Sequence, residues 1–157
     1  MAKSIQTWLD EYGESHQNKV NKRIHWFCVP QIVWTVMAFI FVIPSPAAFA
    51  EISPHLNWLT LSSLVAVVFY LRLSLSITIG MVGFFALCYY SLILFETAFP
   101  GYLLMFAAIY FVVLWALQFY GHEVEGKKPS FLKDVQFLMI GPIWLMSFIF
   151  NKVGLKY

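Results

Sequence analysis

Charge is what this chain has least of: Asp, Glu, Lys and Arg make up only 11% of its 157 residues. A water-soluble domain normally carries about 25%. The formal net charge of +2 is too small to recruit nucleic acid, and no basic patch with interleaved aromatics is present. Cysteine is nearly absent as well. Cys28 and Cys88 both fall inside apolar runs, where they read as small packing residues rather than as a disulfide. A cleavable signal is not expected either. The first 25 or so residues are polar, and the apolar run that follows is too long for a signal core.

What fills the space left by charge is hydrocarbon. Hydrophobic residues account for 61% of the chain and aromatics for 19%, with a mean hydropathy of +0.74. One aqueous core cannot hide that much apolar surface in a chain of this length, so the remaining solvent is lipid. Crossing ~30 Å of hydrocarbon takes roughly 20 apolar residues. Charge-free runs occur at 26–50, 52–71, 73–95 and 97–121. Pro44 and Pro46 close the first, and Pro100-Gly101 marks the turn before the last. The expected architecture is an all-α integral membrane protein forming a single domain over 1–157. Its spans are placed at about 26–43, 56–71, 74–95 and 101–120, preceded by an amphipathic segment over 1–25. A fifth apolar helix over 135–150 is shorter and contains Gly141-Pro142. It reads as an interfacial, re-entrant or kinked element, with the first two preferred.

The cations assign sides. Lys3, Lys19, Lys22, Arg23, Arg72, Lys127, Lys128 and Lys133 all fall on one side of a four-span arrangement, while connections 45–56 and 96–101 carry no Lys or Arg. The positive-inside rule makes that side cytoplasmic, on a plasma or inner membrane if the chain is bacterial and on the endoplasmic reticulum if eukaryotic. Lys127 and Lys128 read as a lipid-facing positive pair. Ile5, Trp8, Leu9 and Tyr12 recur at helical spacing, the stripe of a helix lying either on the membrane surface or on other protein segments.

Placed on this topology, the histidines divide. His16, His25 and His122 share the cytoplasmic interface, and His55 lies across the membrane from them. Three imidazoles at one depth form a candidate metal site, with amphipathic anchoring as the plainer alternative. Each has a polar residue four positions earlier: Tyr12, Asn21 and Gln118. On a helix such a pair shares a face, suiting a ligand and the partner that orients it. His16 and His25 are nine apart, so the chain must turn between them, at Gln17-Asn18. Glu125 follows His122 by three and reads as ligand, base or solvated acid.

Tyr12-x3-His16-x4-Asn21-x3-His25-x4-Pro30, and later Gln118-Phe119-x-Gly121-His122-x2-Glu125-Gly126-x2-Pro129, resemble the two signature blocks of the membrane 2-hydroxy fatty acid dioxygenases, enzymes of fatty acid α-oxidation in phytosphingosine breakdown. The resemblance runs through essentially the whole chain. Cys28 and Ser130 depart from it, standing where that family usually has glycine and alanine. The resemblance implies a non-haem Fe(II) enzyme that uses O₂ to shorten a long-chain 2-hydroxy fatty acid by one carbon. His16, His25 and His122 would be ligands, Glu125 a fourth ligand or base, and Tyr12, Asn21 and Gln118 orienting residues. Lys22, Arg23 or Arg72 would offset the carboxylate of a substrate whose tail lies among membrane lipid. Competing readings are a non-catalytic transporter or structural bundle, and a zinc or haem protein. The charge-free spans disfavour a pathway for charged substrates, four histidines are too few for a di-iron hydroxylase, and the pattern leaves a homo-oligomer open.

Overall fold

A computed structural model describes residues 3–126 and 131–157, with side chains in the last helix from residue 138 onward. Lys127, Lys128, Pro129 and Ser130 therefore lie outside the described residues, as does the side chain of Lys133. The described residues form helices and no strands: α1 (Ile5–Gly13), α2 (Lys19–Phe41), α3 (Ala47–Ile52), α4 (Trp58–Leu71), α5 (Leu75–Ala98), α6 (Leu103–Glu125) and α7 (Phe131–Val153). The protein is an all-α membrane protein. Its outer surface is inverted relative to a soluble bundle, with Val65, Leu87, Leu94 and Val112 each at least two-thirds exposed.

Among the described residues, three helices, α2, α5 and α6, are long and apolar enough to cross a membrane. The fourth expected span, α4, has only 14 residues, or about 21 Å at the helical rise. It starts late because Asn57 closes a capping box with Thr60, each side chain bonding the other's backbone N–H at 3.0 Å. The connection before it is not plain loop but holds the short helix α3. α2 begins at Lys19, capped by the Asn18 side chain, seven residues before its apolar run. It ends at Phe41, ahead of Pro44 as expected.

The two flanking helices each take one of the arrangements that the sequence leaves open. α1 lies on protein: Leu9 and Tyr12 are buried in one cluster with Ile140, Ile143, Trp144 and Leu145 of α7. α7 is one uninterrupted helix with Pro142 inside it, so the chain does not double back within it and the re-entrant reading falls. Ile140 and Ile143 are essentially inaccessible, placing this stretch in the bundle rather than on its surface. A proline is tolerated inside an apolar helix where neighbouring segments compensate.

Between helices in lipid, cohesion comes from close packing and hydrogen bonds rather than from the hydrophobic effect. Trp34 Nε1 donates to Ser91 Oγ at 2.7 Å, tying α2 to α5. Tyr70 Oη donates to the Met139 carbonyl at 2.9 Å, tying α4 to α7. α2 packs along α6, with Cys28, Ile32 and Leu114 fully or nearly buried at the seam. Both cysteines are buried free thiols. Gly121 permits the closest part of this seam, since a Cβ there would stand 2.5 Å from Asn21 Oδ1. Gly121→Ala is therefore expected to destabilise the fold by about 1–3 kcal/mol. Thermal unfolding should resolve this against Gly83→Ala, whose added Cβ meets nothing within 4 Å; equal melting points would refute a tight α2–α6 contact.

Candidate metal centre

The turn between α1 and α2 brings the first two histidines together. His16 follows the end of α1, and His25 lies two turns into α2, where the α6 seam delivers His122. All three are buried, at 2%, 2% and 8% exposure. Their ring centroids are 4.2 Å (His16–His25), 5.0 Å (His25–His122) and 5.3 Å (His16–His122) apart. One ring nitrogen from each lies within 4.8 Å of the others. His55 takes no part. It sits in the connection before α4, with its Nδ1 3.2 Å from the Tyr89 hydroxyl.

Local hydrogen bonds fix which nitrogens face the cluster. His16 Nδ1 lies 2.6 Å from the Tyr12 carbonyl oxygen, and His25 Nδ1 3.0 Å from that of Asn21. A carbonyl only accepts, so each Nδ1 carries the proton and donates. The lone pair of each neutral ring is then on Nε2, the form a metal takes. His16 Nε2 is buried with no hydrogen-bond partner among the described residues. Tyr12 and Asn21 thus reach the imidazoles through main-chain oxygens. The Tyr12 ring stacks on His16, at 4.2 Å between centroids and 4° between planes.

Burial is the main reason His16 stays neutral. It pushes the pKa down from 6.5 to about 4, against the opposing Tyr12 hydrogen bond and assisted by His122 and Lys22. Between those two values the unfolded chain binds a proton that the folded chain does not, so stability must fall as pH drops through this window. The metal-free protein should keep its melting temperature near pH 7 and lose it progressively from about pH 6.5 towards pH 4. A melting temperature flat across that range would contradict a buried neutral His16.

Glu125 occupies a different place from that of a fourth ligand. Its Oε1 accepts from the backbone N–H of Gln17 at 2.7 Å, and Oε2 from that of Asn18 at 2.9 Å and from Asn21 Nδ2 at 3.0 Å. Both oxygens are engaged in clamping the 14–18 turn to the end of α6, and the histidine cluster does not include them. Asn21 Nδ2 also donates to the Ser15 carbonyl at 3.1 Å, closing the same turn from α2.

A cavity of ≈ 50 Å³ opens beside the cluster, lined by the three histidines together with Tyr12, Gln118 and Trp115 among others. A water needs roughly 10–15 Å³ on the same measure, so a metal and one or two small ligands have room. Gln118 is buried against this space, and its Oε1 has no hydrogen-bond partner among the described residues. The three expected head-group cations differ in position. Lys22 is half-buried and its charge is felt at His16. Arg23 is exposed, and Arg72 is the exposed C-cap of α4; none of the three lines the cavity.

Three residues of the site carry no sequence signal. Trp144 of α7 packs 5.4 Å from His16 and 5.2 Å from Tyr12 between ring centroids. Trp115 and Leu138 line the cavity wall. All three belong to uniformly apolar stretches, where spacing does not reveal facing.

The donor set passes a simple test of fit. Atoms within 4.8 Å of one another share a central point about 2.8 Å from each, so reaching ~2.0–2.1 Å metal–nitrogen bonds takes under about 1 Å of movement per ring. Three imidazoles accommodate zinc, copper or iron. Haem between His25 and His122 does not fit, because His16 packs against both rings in the space a porphyrin would need. No curated protein and no solved structure matches the chain. Residues 2–153, however, match the family described as 2-hydroxy-palmitic acid dioxygenase Mpo1-like, and the chain belongs to that family.

Proposed function

We propose that the protein is an Fe(II)-dependent dioxygenase converting a long-chain 2-hydroxy fatty acid and O₂ into the fatty acid one carbon shorter, CO₂ and water. The reaction balances without an added reductant. The observation that carries this reading is the buried cluster of His16, His25 and His122 within 4.8 Å of one another, in a chain of this family. Three neutral imidazoles would hold the metal on one side and leave its other side to the cavity. When bound, the iron supplies the redox chemistry that joins O₂ to the hydroxylated carbon.

The chain's own residues bind and orient. Lys22, whose charge is felt at His16, offsets the substrate carboxylate, with Arg23 and Arg72 contributing only at longer range. The Gln118 amide oxygen accepts from the substrate's 2-hydroxyl, holding it beside the histidines. Tyr12 and Trp144 cover His16 with aromatic surface and keep bulk water from it. Glu125 acts as a positioning residue, holding the turn that carries His16. The positive-inside pattern supports a cytoplasmic location for this end of the bundle, where an amphiphilic acid would present its head while its tail stays among lipid.

The test is purification in mild detergent, removal of metal with a chelator, and reloading with Fe(II) or Zn(II) before 2-hydroxyhexadecanoic acid is supplied under O₂. Pentadecanoic acid and CO₂ should form with iron alone, one of each per O₂ consumed. Full activity after chelation, or no pentadecanoic acid from iron-loaded protein, would sink the proposal.

A further inference from the structure

Besides the metal cavity, two apolar cavities are lined by described residues of the bundle. One of ≈ 150 Å³ lies between α2 and α4, floored by α7; the other, of ≈ 130 Å³, lies between α2, α5 and α7. They are not equivalent. The first shares a wall residue with the metal cavity, because Leu138 lines both. The second shares none.

We infer that the larger cavity is the acyl-chain groove, and that the substrate tail enters it past Leu138. The inference rests on the functional reading above and adds where the tail goes. α2 makes the path continuous: Val29 and Ile32 line the metal cavity, and Val33, Met37 and Ile40 carry the same wall onward into the groove. From His25 to Ile40 the helix descends ~22 Å. A single lipid chain occupies about half the ~30 Å hydrocarbon thickness, or ~15 Å, so the groove reaches deep enough for a tail of membrane-lipid length.

The lining suits an alkyl chain. Ser62 and Tyr70 are its hydrogen-bonding side chains with a described role, and both hydroxyls donate to main-chain carbonyls, of Leu59 at 3.0 Å and Met139 at 2.9 Å. A dry apolar cavity near 150 Å³ accepts a benzene-sized guest, about six carbons. The groove therefore encloses the middle of a long tail and not all of it. Val36, Ser63 and Ala66 on its walls are only half-buried, so the remainder lies against the surrounding lipid. This geometry favours chains that pass beyond Leu138 far enough to fill the groove, making Leu138 and Ala66 determinants of chain-length preference.

Photolabelling locates the tail without turnover. A 2-hydroxyhexadecanoic acid bearing a diazirine near the middle of its tail is irradiated on the purified protein, and the adducts are mapped by peptide mass spectrometry. Adducts on 33–40 and 59–66 are expected. Adducts confined to 115–119, to the second cavity around Met81 and Met146, or found nowhere, would overturn the groove. Ala66→Phe should lower the ratio of kcat/KM for the sixteen-carbon over the ten-carbon 2-hydroxy acid at least tenfold, with metal content unchanged. Ser63→Leu, a smaller obstruction one turn away, should move the ratio in the same direction; an unchanged ratio in both variants would also overturn it. Failure of the functional reading looks different: adducts would still fall on 33–40 and 59–66, while unlabelled iron-loaded protein would make no pentadecanoic acid.

Discussion

His122→Ala should release the metal. Removing the residue that orients a ligand already costs about 10–100-fold in affinity, and removing one of only three ligands costs more. Metal content of purified protein is expected to fall below about a tenth of an equivalent, taking activity with it. His16→Ala and His25→Ala should behave alike, because each supplies one nitrogen to the same cluster. His55→Ala, whose ring is beside Tyr89, should retain full occupancy. Metal analysis of the four variants decides the matter. Stoichiometric iron in His122→Ala would remove the three-histidine site altogether.

Glu125→Gln is expected to give a weaker and qualitatively different loss. The carboxylate receives two backbone N–H groups and the Asn21 amide. A glutamine keeps one acceptor oxygen but points an NH₂ at a second donor. The clamp then opens on one side, and the 14–18 turn loses its fixed approach to α6. Hydrogen bonds to a charged group are worth roughly 1.5–3 kcal/mol when buried. This carboxylate is partly open to water, so a total near 1–2 kcal/mol is the sounder expectation. Affinity for iron should fall about 10–100-fold, with full occupancy recovered at saturating metal. X-ray absorption at saturation should then show the same nitrogen coordination as the wild type. An oxygen ligand present in the wild type and missing in Glu125→Gln would return Glu125 to the coordination sphere.

The difference between these variants marks where sequence reasoning works on this chain. Charge asymmetry across apolar runs separates His55 from the other three histidines, and helical arithmetic pairs each of those with a residue four positions earlier. Both arguments need only chain direction and a rise per residue. The pairing carries a detail that spacing cannot hold: Tyr12 and Asn21 contribute carbonyl oxygens, and every residue type has one. The clamp by Glu125 is invisible for another reason. Two of its three partners are backbone N–H groups more than 100 positions away, and the third, the Asn21 amide, is 104 positions away, so local spacing does not reveal it. Trp144 and Leu138 are hidden by composition, since a helix apolar on all sides has no periodicity to show which side meets a neighbour. α1 shows the same effect. Its amphipathic stripe identifies a buried face but not that α7, rather than lipid, covers it.

The clamp also orders events during synthesis. Gln17 and Glu125 are 108 positions apart, and ribosomes add roughly 5–20 residues per second. For roughly 5–20 seconds, then, the nascent chain exposes His16 and His25 with neither their third partner nor the carboxylate that seats their turn. Two imidazoles on an untethered turn hold a metal loosely, and whatever ion they meet in that interval can exchange away. A site that needs all three imidazoles is complete only once α6 has been made and packed against α2. Closure of the cluster is thereby set by a late helix rather than by the two histidines that are made first.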